Sequence, residues 1–157
     1  LDKGMHHFAD IILKHYGMNI KDIPGAGAAG GVGGSLMAVL KANLKRGIDI
    51  ILNTINFEKQ IEDCNLVITG EGHIDHQTMM SKAPSGVLSI AQKKGIPVIA
   101  LGGRVTMCEE LKNSGFQDII CITPHSMPIH QAIHPQTATS NLRNTAIHIA
   151  HMFTQSD

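Results

Sequence analysis

From residue 48 onward, short continuous apolar runs alternate with stretches of helical periodicity, and this alternation limits the fold more than any other feature. The runs at 48–52, 66–69, 97–101 and 119–122 have the length and β-branched content of strands covered on both faces. Between them, 58–63, 84–94 and 107–113 read as helices, giving a β-α-β-α-β-α-β order. Crossovers joining parallel strands are right-handed. Residues 48–157 are therefore expected to form an α/β domain with an open, doubly wound parallel sheet, flavodoxin-like or Rossmann-like. A last helix opens at Pro135, with proline in its first turn and Ala138, Leu142, Ala146, Ile149 and Phe153 expected on its buried side.

The first 47 residues follow a different pattern. Met5, Phe8, Ile12 and Tyr16 recur at helical spacing, and Gly17 is expected to end that helix. Residues 24–34 are too rich in glycine for an ordinary helix or strand, and Leu36, Val39, Leu40 and Leu44 then resume helical spacing, so a glycine loop should feed a helix. Gly25, Gly27 and Gly30 satisfy the spacing of the dinucleotide fingerprint, yet no strand precedes them and no acidic residue follows a second strand at the right distance. NAD binding is not expected. The loop's N–H groups approach a phosphate or a substrate carboxylate, or its glycines let the next helix pack closely; the sequence leaves both open.

Charge narrows the partners. With 13 Lys+Arg against 13 Asp+Glu there is no basic excess to draw the chain to nucleic acid or an anionic membrane. With four Phe, one Tyr and no Trp there is little aromatic surface for stacking bases. No apolar run approaches the roughly 20 residues that span a bilayer. Cys64, Cys108 and Cys121 are odd in number and lie far apart, which argues against a disulfide framework and for a reducing cytoplasm. Leu1 is not an initiator methionine, so a further segment is expected upstream.

Ligands of open α/β sheets bind beyond the carboxyl ends of the strands. One such stretch concentrates reactive groups: Gly70-Glu71-Gly72-His73-Ile74-Asp75-His76-Gln77-Thr78 follows the second apolar run, and Lys82 precedes a helix start at Pro84-Ser85-Gly86. Phosphoryl transfer needs carboxylate oxygens for Mg²⁺, a cation and N–H donors for the phosphates, and a group that positions the attacking hydroxyl. All these residue types converge here. The plainer reading is a glycine turn capped by Asp75. Arg104, after Gly102-Gly103 at the end of the next run, either holds a carboxylate or phosphate in its fork or is a surface charge. His73 and His76 either touch ligand or are loop surface. His130 with His134, and His148 with His151, have metal-ligand spacing but no third ligand nearby, so solvated faces are expected.

The run Gly70-Glu71-Gly72, Ile74-Asp75, Gln77-Thr78, Lys82, Pro84, Gly86-Val87 resembles the signature stretch of the bacterial-type glycerate kinase family. Residues 24–34 with Leu36-Met37-Ala38 resemble its glycine-rich segment, and Leu66-Val67-Ile68-Thr69 its preceding strand. His73 stands where an arginine is usual in that family, and Ser81 where a glycine is usual.

The resemblance implies a C-terminal portion of a protein more than twice as long, built of two α/β domains with one inserted in the other. Residues 1–47 would then be the helical, Gly-rich end of the inserted domain or a hinge, and 48–157 the C-terminal part of the flavodoxin-like domain. It implies ATP-dependent phosphorylation of glycerate, with Asp75, Glu71 and Lys82 catalytic and Glu71 and Asp75 on Mg²⁺. Gly70, Gly72, His73, Gln77, Thr78, Ser85, Gly86, Arg104, Gly25, Gly27 and Gly30 would line substrate or nucleotide. The missing N-terminal part of the same polypeptide would be a partner, a homodimer is compatible, and the isolated chain is expected to be inactive. The alternative is a non-catalytic module that binds a nucleotide or small sugar acid, against which the carboxylate pair argues, since it would repel an anion without Mg²⁺ between.

Overall fold

The computed structural model describes residues 2–80 and 82–154. The chain divides between Arg46 and Gly47 into two compact units.

In the first unit, α1 (Asp2–Tyr16) and α2 (Ala28–Leu40) enclose a small core of Ala9, Ile12, Ile20, Ala26 and Ala38, flanked by Phe8, Met18 and Ile23. Gly17 ends α1 as expected, in the left-handed region with its N–H on the Leu13 carbonyl. Tyr16, expected on the inner face, is exposed. The glycine-rich run is loop only in its first part. Helix α2 begins at Ala28 and kinks through left-handed Ala29, Gly30 and Gly31, and Leu44 lies beyond its end. Its inner face carries the small residues Gly31, Gly34 and Ala38, whereas Val32, Leu36, Val39 and Leu40 are exposed.

The second unit begins with a correction. Residues 48–52, expected to be a strand, lie in helix α3 (Gly47–Thr54). A short apolar run fits a buried strand and a helix segment equally. Here Ile48 and Leu52, four residues apart, turn together toward Gly86 while Ile50 and Ile51 stay exposed. A short α4 (Phe57–Gln60) follows where 58–63 was expected. Then come β1 (Val67–Ile74), a 3₁₀ turn (His76–Met79), α5 (Ala83–Lys93), β2 (Val98–Val105), α6 (Glu109–Lys112), β3 (Asp118–Cys121), α7 (Ile129–Ala132) and α8 (Pro135–Thr154).

Among the described residues the sheet has three parallel strands, not four, in the order β1-β2-β3. Strand β2 sits in the middle and is buried from Val98 through Gly102. Its side chains alternate between two covers. Val98 packs with Leu88 and Ala91 of α5, and Ala100 with Ile74 and Leu111, whereas Ile99 and Leu101 pack with Ile149 of α8. Helices thus cover both faces, which is why β2 reads as an unbroken apolar run.

Helix α8 is rotated relative to expectation. Ile149 is buried and Phe153 half-buried against the sheet, and backward steps of four from Ile149 reach Thr145 and Asn141. Leu142 and Ala146 fall off that line and are exposed. Among the described residues no helix is long and apolar enough to cross a membrane.

Gly86 fixes the contact between α3 and α5. A Cβ there would collide with Ile48 and come within 3.2 Å of Leu52, whereas a Cβ on Gly72 would meet nothing within 4 Å. Gly86→Ala is therefore expected to lower stability by about 1–3 kcal/mol through overpacking. Gly72→Ala should leave the urea midpoint of the chain within experimental scatter of wild type, and equal midpoints for the two variants would contradict this packing.

Candidate active site

Strand β1 runs five residues further than its apolar stretch, so Gly70 through Ile74, expected as loop, belong to the strand, with Gly70, Glu71, His73 and Ile74 in register with β2. Two forces carry it on. Gly70 and Gly72 pose no steric obstacle to extension, and Ile74, fully buried, anchors the far end in a cluster with Ala100 and Leu111. Asp75 then leaves the sheet and caps the 3₁₀ turn. Its Oδ1 accepts from the Gln77 N–H at 2.9 Å, while its own N–H donates to Thr78 Oγ1 at 3.1 Å. This is a capping box, in which two orphan donors are satisfied reciprocally.

Thr78 links the two acids. Its hydroxyl is completely buried and donates to Glu71 Oε2 at 3.1 Å. The other Glu71 oxygen, Oε1, lies 3.2 Å from Lys82 Nζ. Asp75 is held in the same manner: Oδ1 takes the Gln77 N–H, and Oδ2 faces His73 Nδ1 at 3.8 Å. Each carboxylate therefore has one oxygen fixed by a neutral donor of the 3₁₀ turn and the other directed at a basic side chain. Both acids are partly buried, with Glu71 25% and Asp75 19% exposed at the side chain, so their pairings are screened less than those of surface ions.

His73 is also tied to β2, since Nε2 lies 2.9 Å from Thr106 Oγ1. Sequence reasoning assigned Thr106 no part in the site. The available signal was its position at the carboxyl end of β2, the same sheet end as Asp75. His76 is exposed and turns toward α6. There Glu110 is held below the ordinary carboxylate range, first by its own backbone N–H, next by the Cys108 side chain, and more weakly by the charge of His76.

Lys82 caps α5, and Pro84 stands in the first turn. The Gly86 N–H bonds back to the Lys82 carbonyl at 3.2 Å, and Ser85 Oγ donates to the same carbonyl at 2.9 Å. Pro84 has no N–H, so Ala83 and Ser85 carry the donors that lack an intrahelical acceptor. Gly86 itself faces α3. Ser81 lies outside the described residues.

Arg104 is the register partner of His73 on β2 and is exposed. It lines a cleft of about 330 Å³ beyond the ends of β2 and β3. Gly103, before it, allows the strand ends to approach, because a Cβ there would sit 2.8 Å from the Gly72 carbonyl oxygen.

In the first unit three backbone donors near the glycines are spent internally. Ala28 N–H bonds to Gly25, Gly31 to Gly27, and Gly34 to the Ala26 carbonyl. Gly25 and Gly30 adopt positive φ, and Gly27 lies 3.9 Å from Met5 in Cβ distance. These bonds fold the glycine run back on itself ahead of and within α2. His130, His134, His148 and His151 are all exposed. Among the described residues, no three His, Cys, Asp or Glu side chains gather as a metal site. Glu71 on β1 and Asp75 at the head of the 3₁₀ turn nevertheless offer a donor set that suits Mg²⁺, which keeps several waters and binds through one or two carboxylates plus phosphate oxygens.

Comparison with known proteins bears on the whole of this arrangement. The model of the glycerate kinase family matches residues 1–154. Glycerate kinase from Bacillus cereus is 42% identical over 151 residues, covering 96% of this chain and 39% of that protein. Glycerate 2-kinase from Escherichia coli is 50% identical over 106 residues, covering 68% of this chain and 28% of its own length. A crystal structure of a protein described as glycerate kinase 2 from Salmonella typhimurium LT2 superposes with a TM-score of 0.68 at 32% identity, over 99% of this chain and 39% of that one. The chain spans about two fifths of the length of the Bacillus relative. A match that runs through both units and the acid-bearing turn settles the relationship: the chain belongs to the glycerate kinase family.

Proposed function

We propose that this chain is the C-terminal part of a kinase that transfers the γ-phosphoryl group of ATP to a hydroxyl of glycerate. The observation that carries the reading is the link that Thr78 makes between the Glu71 carboxylate on β1 and the Asp75 backbone at the head of the 3₁₀ turn, beside Lys82 at the start of α5. The name of the Escherichia coli relative, glycerate 2-kinase, favours the 2-hydroxyl.

Asp75 orients the acceptor hydroxyl and takes its proton on a carboxylate oxygen. The hydroxyl oxygen bonds to the γ-phosphorus as the bridging bond to ADP breaks, and ADP leaves. Lys82 and the N–H groups of Ala83 and Ser85 face the phosphates, where a cation and a helix start both favour negative charge. Glu71 and Asp75 would hold Mg²⁺, which supplies neutralisation of phosphate charge when bound. Catalysis of this kind rests on positioning and electrostatics rather than covalent chemistry. Gly70, Gly72, Gln77 and His73 shape and fix the turn around those groups.

The family likeness supports a wider setting. The first unit would be the end of an inserted α/β domain, whose remainder covers the exposed stripe of Val32, Leu36, Val39 and Leu40. Among the described residues strand β1 has a neighbour on one side only, and Ile68 on it is 48% exposed, so upstream strands would extend the sheet into a doubly wound, flavodoxin-like one. The three cysteines are free, in keeping with a reducing cytoplasm.

Three results test the proposal. In a full-length family polypeptide carrying this chain, Asp75→Asn should cut glycerate-dependent ADP formation by on the order of 10²–10⁴. The cap to Gln77 survives in asparagine, so the melting temperature should hold; near-normal turnover would refute the role. Thr78→Val removes both hydrogen bonds of a buried hydroxyl, so stability should fall by about 1–3 kcal/mol and activity with it. Thr78→Ser should restore most of both. The isolated 157 residues, given MgATP and glycerate, are expected to release no ADP above background, because they cover 39% of the Bacillus relative and the rest of the site is expected in the remainder of such a polypeptide.

A further inference from the structure

The proposed reaction brings two anions together, and the cations near the site are not equivalent. Lys82 is already 3.2 Å from a Glu71 oxygen. Arg104, by contrast, has neither an ion pair nor a side-chain hydrogen bond among the described residues. It stands on β2 opposite His73, whose ring reaches Asp75, so its backbone is one strand spacing from the residue that faces the acid.

The cleft that Arg104 lines has a consistent sign. Arg104 and His125 are its ionisable side chains apart from Cys121, and no Asp or Glu lines it. One wall is fixed, since Thr123 Oγ1 donates to the Gly103 carbonyl at 2.6 Å and holds the end of β3 to the end of β2. That hydroxyl proton is spent, so Thr123 shapes the cleft and does not donate into it. Met127 and Ile129 give the cleft an apolar side. At about 330 Å³ it is at the small end of ligand pockets.

We propose that this cleft is the subsite for the carboxylate of the acceptor acid, with the Arg104 guanidinium forking onto both oxygens and His125 as the second donor. The inference rests on the kinase reading for the identity of the acid, but the anion site stands on its own geometry. A guanidinium matches a planar carboxylate bidentately, whereas an ammonium acts as a point charge. That assigns Arg104 to the acid and Lys82 to the phosphates. The same placement puts a guanidinium beside position 73, where this chain has histidine in place of the arginine its family resemblance implies.

The test uses the full-length family polypeptide carrying this chain, with Arg104→Gln and Arg104→Lys. Losing a charged hydrogen-bonding partner should raise the KM for glycerate about 10- to 100-fold in Arg104→Gln, with the KM for ATP unchanged. Arg104→Lys should recover only part of the loss. A rise confined to ATP would give the cleft to the nucleotide phosphates and overturn the proposal, as would no change in either constant. Calorimetric titration with sodium glycerate, and separately with uncharged glycerol, reads the site without turnover. Wild type should bind glycerate well above glycerol, and Arg104→Gln should erase the preference. If the protein makes no ADP yet keeps an Arg104-dependent preference, the kinase reading fails and the anion site stands. If the preference is the same in wild type and variant, the anion site fails. Arg104 is exposed, so a circular dichroism melt should match wild type in both variants.

Discussion

The candidate site hangs on one buried hydroxyl. Thr78 has no exposure to water, so its oxygen must find partners inside the protein or cost the chain an unsatisfied polar group. It finds one in each acid residue: the Glu71 carboxylate accepts its proton, and the Asp75 N–H donates to its lone pair. The side chain of Glu71 on β1 is thereby tied to the backbone of Asp75 at the head of the 3₁₀ turn. Ile74 secures the other side, because its burial with Ala100 and Leu111 leaves the chain no freedom to slide Asp75 along the strand. An apolar anchor followed at once by an acid is how the strand end delivers a charged group to a defined place.

That delivery depends in turn on β2. The strand is buried on both faces, so it supplies a rigid edge against which β1 can extend past its own apolar stretch. Close approach of the two strand ends requires glycine at 103, where a side chain would meet the Gly72 carbonyl. Two polar side chains, His73 on β1 and Thr106 just past the end of β2, then meet at 2.9 Å and brace the end of the sheet. The glycines around the acids thus serve backbone packing as much as any ligand.

Which parts of this were readable follows from what each residue responds to. The run at 97–101 answers to burial in the middle of the sheet, whereas those at 66–69 and 119–122, only partly buried, were legible from their apolar, β-branched content. The run at 48–52 misled because Ile48 and Leu52 answer to the groove at Gly86, thirty-odd residues away, which no local pattern reveals. Strand β1 beyond Thr69 was hidden by two glycines, whose low strand propensity is overridden by pairing with β2. The phase of α8 was missed because Leu142 and Ala146 are more apolar than Asn141 and Thr145. Ile149 and Phe153 alone set the rotation, and the helix follows them. In the site, the residue types were legible, whereas their partners Thr106, Thr123 and His125 come from other strands and loops.

The division of charge in the second unit carries the chemical argument one step further. Lys82 sits at a helix start but is matched to Glu71, so locally the pair is close to neutral. Arg104 stands in a cleft without acidic lining and is matched to nothing among the described residues. A phosphate chain can be received by a point charge and backbone N–H groups, since its oxygens are many and its orientation is set by metal and helix together. A small carboxylate has two oxygens and one plane, and a fork that meets both oxygens matches it better than a point charge does. In the proposed reaction, recognition of the acid therefore falls to the guanidinium on β2, and handling of the acceptor proton to Asp75 just beyond the end of β1.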